Sequence, residues 1–220
     1  MAQLLTDAGV GSVLAVRLAE YGSRLLEANR RVNLTGARTP EELLPHLLDS
    51  LTVLAFVQEP LIDVGSGGGL PGIPVALALN VHVTFLESTA KKAAFLGEVV
   101  AEFGLAGEVF CERAEDAARS PSLRESFGSA TARAVSSAPT TLELTVPFLR
   151  IGGCAILQRG VMDQRERDAV RDAAPMLGAA TVEEHTVGGQ RRLLIVRKTS
   201  PTPTRFPRRT GIPEKRPLCF

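Results

Sequence analysis

Leu61-Ile62-Asp63-Val64-Gly65-Ser66-Gly67-Gly68-Gly69, continued by Leu70-Pro71-Gly72-Ile73-Pro74-Val75-Ala76-Leu77-Ala78-Leu79, reads as strand, glycine turn and helix. That succession brings a backbone close to a nucleotide-like ligand. Glycine in such a turn permits positive φ and leaves no Cβ between backbone and ligand. A dinucleotide fingerprint requires G-x-G-x-x-G. Counted from Gly65, the sixth position is Leu70, so that pattern fails. The stretch reads D-x-G-x-G-x-G instead, with Asp63 two residues before the first glycine. An acid there suits a cationic or amino-acid-like group and repels a pyrophosphate. The expected ligand is therefore S-adenosylmethionine rather than NAD.

Outward from the turn, strand-like and helix-like runs alternate. Strands are predicted at 61–65, 81–87, 108–113, 130–135, 153–158, 180–187 and 192–198. Helices are predicted at 70–79, 89–103, 115–119, 139–149 and 163–177. Short strands separated by helices imply βαβ units and a parallel sheet. Gly188-Gly189-Gln190-Arg191 is a hairpin turn, so the last strand should be antiparallel. An α/β fold with seven mostly parallel strands and an antiparallel last strand resembles the class I methyltransferase (Rossmann-like) fold. Upstream, 10–30 and 40–58 read as amphipathic helices flanking the sheet, with Pro40, Glu41 and Glu42 opening the second. The expected division is a helical extension (1–58), a cofactor-binding core (59–198) and a basic, Pro-rich, irregular tail (199–220).

Composition sets the class. The chain has 220 residues, 45% hydrophobic and 22% charged, as expected of a soluble globular protein. No apolar run approaches the roughly 18–20 residues of a membrane span, and residues 1–20 lack the pattern of a secretory signal. Cys111, Cys154 and Cys219 have neither metal-ligand nor disulfide spacing. Cys111 and Cys154 read as buried thiols. A cytoplasmic, metal-free monomer is expected. Residues 191–220 hold nine Lys/Arg against one acid, Glu214, leaving 16 and 23 in residues 1–190. That asymmetry suggests either a basic surface for a polyanion such as RNA or a solubilising tail.

Candidate chemistry clusters at strand ends. Glu87 closes the second strand, 20 residues after Gly67, where an acid accepts from ribose hydroxyls. Glu112-Arg113-Ala114-Glu115-Asp116 follows the third strand and should reach adenine, through side chains or the backbone N–H of Ala114 or Glu115. Arg133-Ala134-Val135-Ser136-Ser137 ends the fourth, where the transferred methyl must lie. It contains neither the Asn/Asp-Pro-Pro-aromatic motif of amino methyltransferases nor a cysteine nucleophile. Guanine N7, which has a lone pair and no proton to remove, fits that absence, and positioning can supply most of the rate. Arg133 can bind the cofactor carboxylate or guanine O6 and N7, or form a structural salt bridge. His46 and Asp49 share a helix face; Lys91-Lys92 and Gln158-Arg159-Gly160 add polar and positive groups near the expected mouth.

Asn33-Leu34-Thr35, His46 to Ser50, Ile62 to Pro74, Glu87-Ser88, Arg113-Ala114-Glu115, Ala132-Arg133-Ala134, Gly152-Gly153 and the tail Pro203 to Pro213 together resemble the small-subunit ribosomal RNA methyltransferase G family, also called glucose-inhibited division protein B. The resemblance implies an S-adenosylmethionine-dependent guanine-N7 methyltransferase acting on the decoding-region loop of 16S ribosomal RNA in the 30S subunit. It places cofactor contacts on Gly65, Leu70, Ala114, Glu115 and Arg133, beside the Asp63, Gly67 and Glu87 read from the residues themselves. Catalytic roles are expected of Arg133 and His46. RNA contacts are expected of Asn33, His46, Asp49, Arg159, Arg205, Arg208 and Arg209. Arg159 stands where the family usually has lysine, a planar fork in place of a point charge.

Overall fold

Strands Leu61–Val64 (β1) and Val83–Leu86 (β2) are buried at every residue, because helices cover both faces of the sheet they centre. A computed structural model describes residues 1–219. Leu61 and Ile62 point to opposite faces, as successive strand residues must, and each belongs to a different core. Leu61 joins a core supplied by Ala2–Asp7 (α1), Ser12–Asn29 (α2), Pro40–Leu51 (α3), Gly72–Leu79 (α4) and Ala90–Glu102 (α5). Ile62 joins one supplied by Ala114–Ala117 (α6), Ala138–Thr145 (α7) and Gln164–Met176 (α8), with Phe206 and Leu218 from the tail. Residues 1–58 thus share a core with the sheet.

The remaining strands are Gly107–Phe110 (β3), Phe127–Arg133 (β4), Leu149–Arg159 (β5), Ala179–Gly188 (β6) and Arg191–Lys198 (β7). The order is β3-β2-β1-β4-β5-β7-β6. Strands β1 to β5 run parallel, and β7 is antiparallel to both β5 and β6. This is the seven-stranded, mostly parallel sheet expected. Because β1 lies between β2 and β4, the winding reverses there. A crevice opens outside the carboxyl ends of these strands, where such sheets bind ligands.

Three expectations are corrected. Helix α3 starts as predicted, with Thr39 Oγ1 accepting from Glu42 N at 3.3 Å, but it stops at Leu51. Thr52 Oγ1 donates to the Asp49 carbonyl at 2.6 Å, satisfying a helix-end acceptor, and a separate 3₁₀ turn follows at Leu54–Phe56. Cys111 is exposed, since β3 is an edge strand ending at Phe110; Cys154, on interior β5, is buried.

The third concerns the tail, which is docked and ends in a short helix, Ile212–Lys215 (α9). The Arg124 guanidinium donates to the carbonyls of Thr202 at 2.8 Å and Phe206 at 3.0 Å. Lys198, fully buried, reaches Glu125 Oε1 at 2.9 Å. Much of the basic charge of 191–220 is matched by acids of the body. No helix among the described residues is long and apolar enough to cross a membrane.

Candidate functional site

The glycine turn is held by side chains from three elements. Asp63 is 1% exposed; its Oδ1 accepts from Thr131 Oγ1 at 2.9 Å and its Oδ2 from Gly72 N at 3.2 Å. Burial pushes its pKa up to about 6, against the pull of those bonds. Asp63 therefore ties β1 to β4 and to the start of α4, and it is not on the wall of either cavity described below. Its oxygens serve the scaffold beneath the turn expected to carry the ligand. Tyr21 Oη donates to the Gly68 carbonyl at 2.6 Å, bracing the turn from α2. Glu87 accepts from Gly67 N at 2.9 Å and Thr89 N at 2.7 Å, joining the turn to α5. Gly67 has φ 57°, and a Cβ there would meet only the Gly65 carbonyl, at 3.8 Å. The open side of the turn is free for a ligand.

A Cβ at Gly65 would lie 2.8 Å from Val135 Cγ2, so Val135 sits on the turn; it lines one cavity and its neighbour Ala134 lines another. The first cavity, of about 170 Å³, is lined by Val64, Gly65, Leu86, Ser88, residues 112–115, Val135 and Glu214 among others. It combines apolar walls with carboxylates, a setting for a flat base bearing amino groups. Glu115 is 1% exposed; its Oε1 accepts from Gly211 N at 2.8 Å and Arg113 Nη2 at 3.2 Å, while its Oε2 is buried without a partner among the described residues. Burial opposes its ionisation, but the Gly211 N–H, its own backbone N–H and Arg113 outweigh that and hold its pKa down. A buried carboxylate oxygen with no donor is suited to a ligand N–H. Apolar walls and this carboxylate make the first cavity fit an adenosine group.

The second cavity, of about 660 Å³, gathers residues from six segments. Asn33 comes from the loop after α2, His46 and Asp49 from α3, and Lys92 from α5. Arg133 and Ala134 come from the end of β4, and Gln158, Arg159 and Arg191 from the β5–β7 pair. Arg133 Nη1 stands 3.5 Å from Asp49 Oδ2, and Arg191 Nη1 3.8 Å from Asp49 Oδ1. Gln158 Nε2 donates to the Asp49 carbonyl at 2.7 Å. Ala134 has φ 53°, rare for a residue with a Cβ. That turn puts Arg133 in the basin and Val135 against Gly65. Burial first, then Arg133 and Arg191, lower the His46 pKa and keep its imidazole neutral. The basin is a partly buried site with more positive than negative groups, suited to an electron-rich base on a phosphate backbone.

The two cavities together include Gly65, Ala114, Glu115, Asn33, His46, Asp49, Arg133 and Arg159. Leu70 is 6% exposed, packs into the first core and lines neither cavity. Arg159 is committed to Glu166 at 2.6 Å and to the Ser136 carbonyl, so its charge is half spent inside the wall. Arg208, expected to contact RNA, is the partner of a buried carboxylate. Its Nη2 lies 2.5 Å from Oε2 of the fully buried Glu143, and its backbone N–H donates to Oε1 at 2.8 Å. Arg205 is exposed and lies over the Phe206 ring at 5.1 Å; Arg209 is exposed. Sequence reasoning missed Arg191, Gly211 and Glu214. Arg191 was legible only as a turn residue, and Glu214 as the one acid in a basic segment.

A model of rRNA small subunit methyltransferase G matches residues 15–195. The chain is 43% identical to "Ribosomal RNA small subunit methyltransferase G" of Rubrobacter xylanophilus, over 91% of this chain and 82% of the relative. It is 37% identical to the protein of that name from Dehalococcoides mccartyi, over 95% and 94%. Among solved structures, it superposes on magnesium protoporphyrin IX methyltransferase of Synechocystis with bound SAM (TM-score 0.56, 16% identity, 79% of this chain and 90% of that one). It also superposes on an SAM-dependent O-methyltransferase of Thermotoga maritima (TM-score 0.55, 11% identity, 81% and 72%). At those identities the structural likeness concerns the fold: the class I methyltransferase sheet.

Proposed function

The chain belongs to the rRNA small subunit methyltransferase G family, and on that premise we propose that it transfers a methyl group from S-adenosylmethionine to N7 of a guanine in the decoding-region loop of 16S ribosomal RNA. The carrying observation is the pair of cavities meeting at Ala134–Val135, one suited to adenosine and the other polar and cationic. The cofactor supplies a methyl group made electrophilic by its sulfonium. Gly65 and Gly67 would let the backbone approach it, Ala114 and Glu115 would take its adenine, and Glu87, which holds the Gly67 and Thr89 N–H groups, would set the turn against its ribose.

A guanine held in the basin with its N7 lone pair toward the bound cofactor's sulfonium could take up the methyl, the electrons of the C–S bond leaving with sulfur. No proton leaves N7, so no general base is needed. Arg133 is oriented by Asp49 at 3.5 Å and donates to guanine O6, leaving the N7 lone pair free for the methyl. His46, neutral, accepts from the base rather than adding a cation beside a sulfonium. Asn33, Arg159, Arg205 and Arg209 hold flanking RNA. Rate comes from holding N7 in line with the methyl.

The test is methyl transfer to 30S subunits isolated from cells lacking the enzyme. Stoichiometric labelling of 16S ribosomal RNA is expected. Labelling of a small metabolite with none of the RNA would overturn the reading.

A further inference from the structure

The tail's contacts run along the adenosine end of the site. Thr210 Oγ1 donates to Asp116 at 2.9 Å, Gly211 N donates to Glu115 Oε1 at 2.8 Å, and Thr140 Oγ1 donates to the Pro213 carbonyl at 2.9 Å. Glu214 lines the cavity itself. Arg208 anchors the start of this segment on buried Glu143. Gly211, at φ 79°, turns the chain so that its N–H meets Glu115. Oε1 of Glu115 is then occupied by two donors, Gly211 and Arg113, and Oε2 has none among the described residues. A carboxylate held by one oxygen presents the other in a set direction. Leaving it buried and unpaired is costly unless a ligand donor arrives.

We propose that residues 210–214 are a specificity element of the cofactor site: Gly211 positions Glu115, and Glu115 and Glu214 together select a base carrying an exocyclic amino group. The proposal rests on the cofactor reading above. Adenine offers N–H donors at its 6-position, where hypoxanthine offers a carbonyl oxygen. A carboxylate facing that position accepts from the first and repels the second. Residues 210–214 thus belong to the cofactor site, just beyond the Arg205 and Arg209 proposed to hold RNA.

Calorimetric affinities for S-adenosylhomocysteine and S-inosylhomocysteine test this without turnover. The full chain should prefer the adenosyl compound by roughly tenfold or more, the factor carried by a hydrogen bond to a charged group. Truncation after Arg209 should bring the two affinities within about threefold by removing that bond's geometry. A merely structural strap would weaken both ligands equally. The full-length double variant Thr210→Val/Glu214→Ala, whose changes lie outside the core, should reduce the preference at least threefold and decides the matter if the truncated chain fails to fold. An unchanged preference in the folded truncated chain, or in the double variant, overturns the proposal while leaving the cofactor assignment standing. Binding of neither compound by the full chain removes the cofactor reading, and this proposal with it.

Discussion

Arg133 Nη1 and Asp49 Oδ2 lie 3.5 Å apart, joining the carboxyl end of β4 to α3 across the basin. The contact makes the N-terminal helices part of the site. Asp49 also faces Arg191 at 3.8 Å, so it keeps a cationic partner when Arg133 is removed. Arg133→Ala should therefore cost the fold only about 1 kcal/mol, the scale of one hydrogen bond. It should lower kcat/KM on ribosomal RNA by about a hundredfold, or ~2.7 kcal/mol of barrier. Arg133→Lys, keeping the charge and losing the fork, should recover part of it. A variant that melts far earlier and loses activity only in proportion to its unfolded fraction would make Arg133 a structural ion pair.

Asp63 should give the protein a pH-dependent stability. Burial raises its folded pKa to about 6 against 3.8 for the free group, so the folded state holds the proton more tightly than the unfolded chain. The resulting stabilisation is complete below pH 3.8 and is lost as pH rises through about 6. A gap of that size is worth about 3 kcal/mol. Denaturant unfolding of the wild type and Asp63→Asn between pH 4 and 7 should show the difference between the two curves changing across that window. A constant difference would mean that Asp63 is not protonated in the folded chain.

Arg208→Ala should act on stability first. It leaves Glu143, fully buried, without its charged partner, and breaking such a pair typically costs about 3–5 kcal/mol. Arg208→Ala/Glu143→Leu should recover much of the loss. If Arg208→Ala keeps its midpoint and loses RNA affinity, Arg208 serves RNA binding rather than the fold.

The alternation from residue 61 onward was enough to predict the sheet, because fully covered parallel strands write short apolar runs into the chain. Gly65, His46, Asp49 and Arg133 were legible because each stands in a motif or at a strand end, where parallel sheets put chemistry. Arg208 with Glu143 and Gly211 with Glu115 were not. Those partners are 65 and 96 residues apart and follow no period, so tail charge looked free when much of it was paired. The scaffold role of Asp63 was hidden for a related reason. An acid beside a glycine turn looks like a ligand group until the buried Thr131 and Gly72 donors are seen facing it.

The central claim, guanine N7 as the acceptor, is tested most directly by mapping 7-methylguanine in 16S ribosomal RNA. Borohydride reduction and aniline cleavage, which cut the chain at that base, would be applied to RNA from 30S subunits incubated with the protein and cofactor, and from untreated subunits. One new cleavage in the decoding-region loop, absent with Arg133→Ala, is the predicted result. Methyl incorporation into that RNA with no new cleavage would place the methyl on another atom and contradict the account.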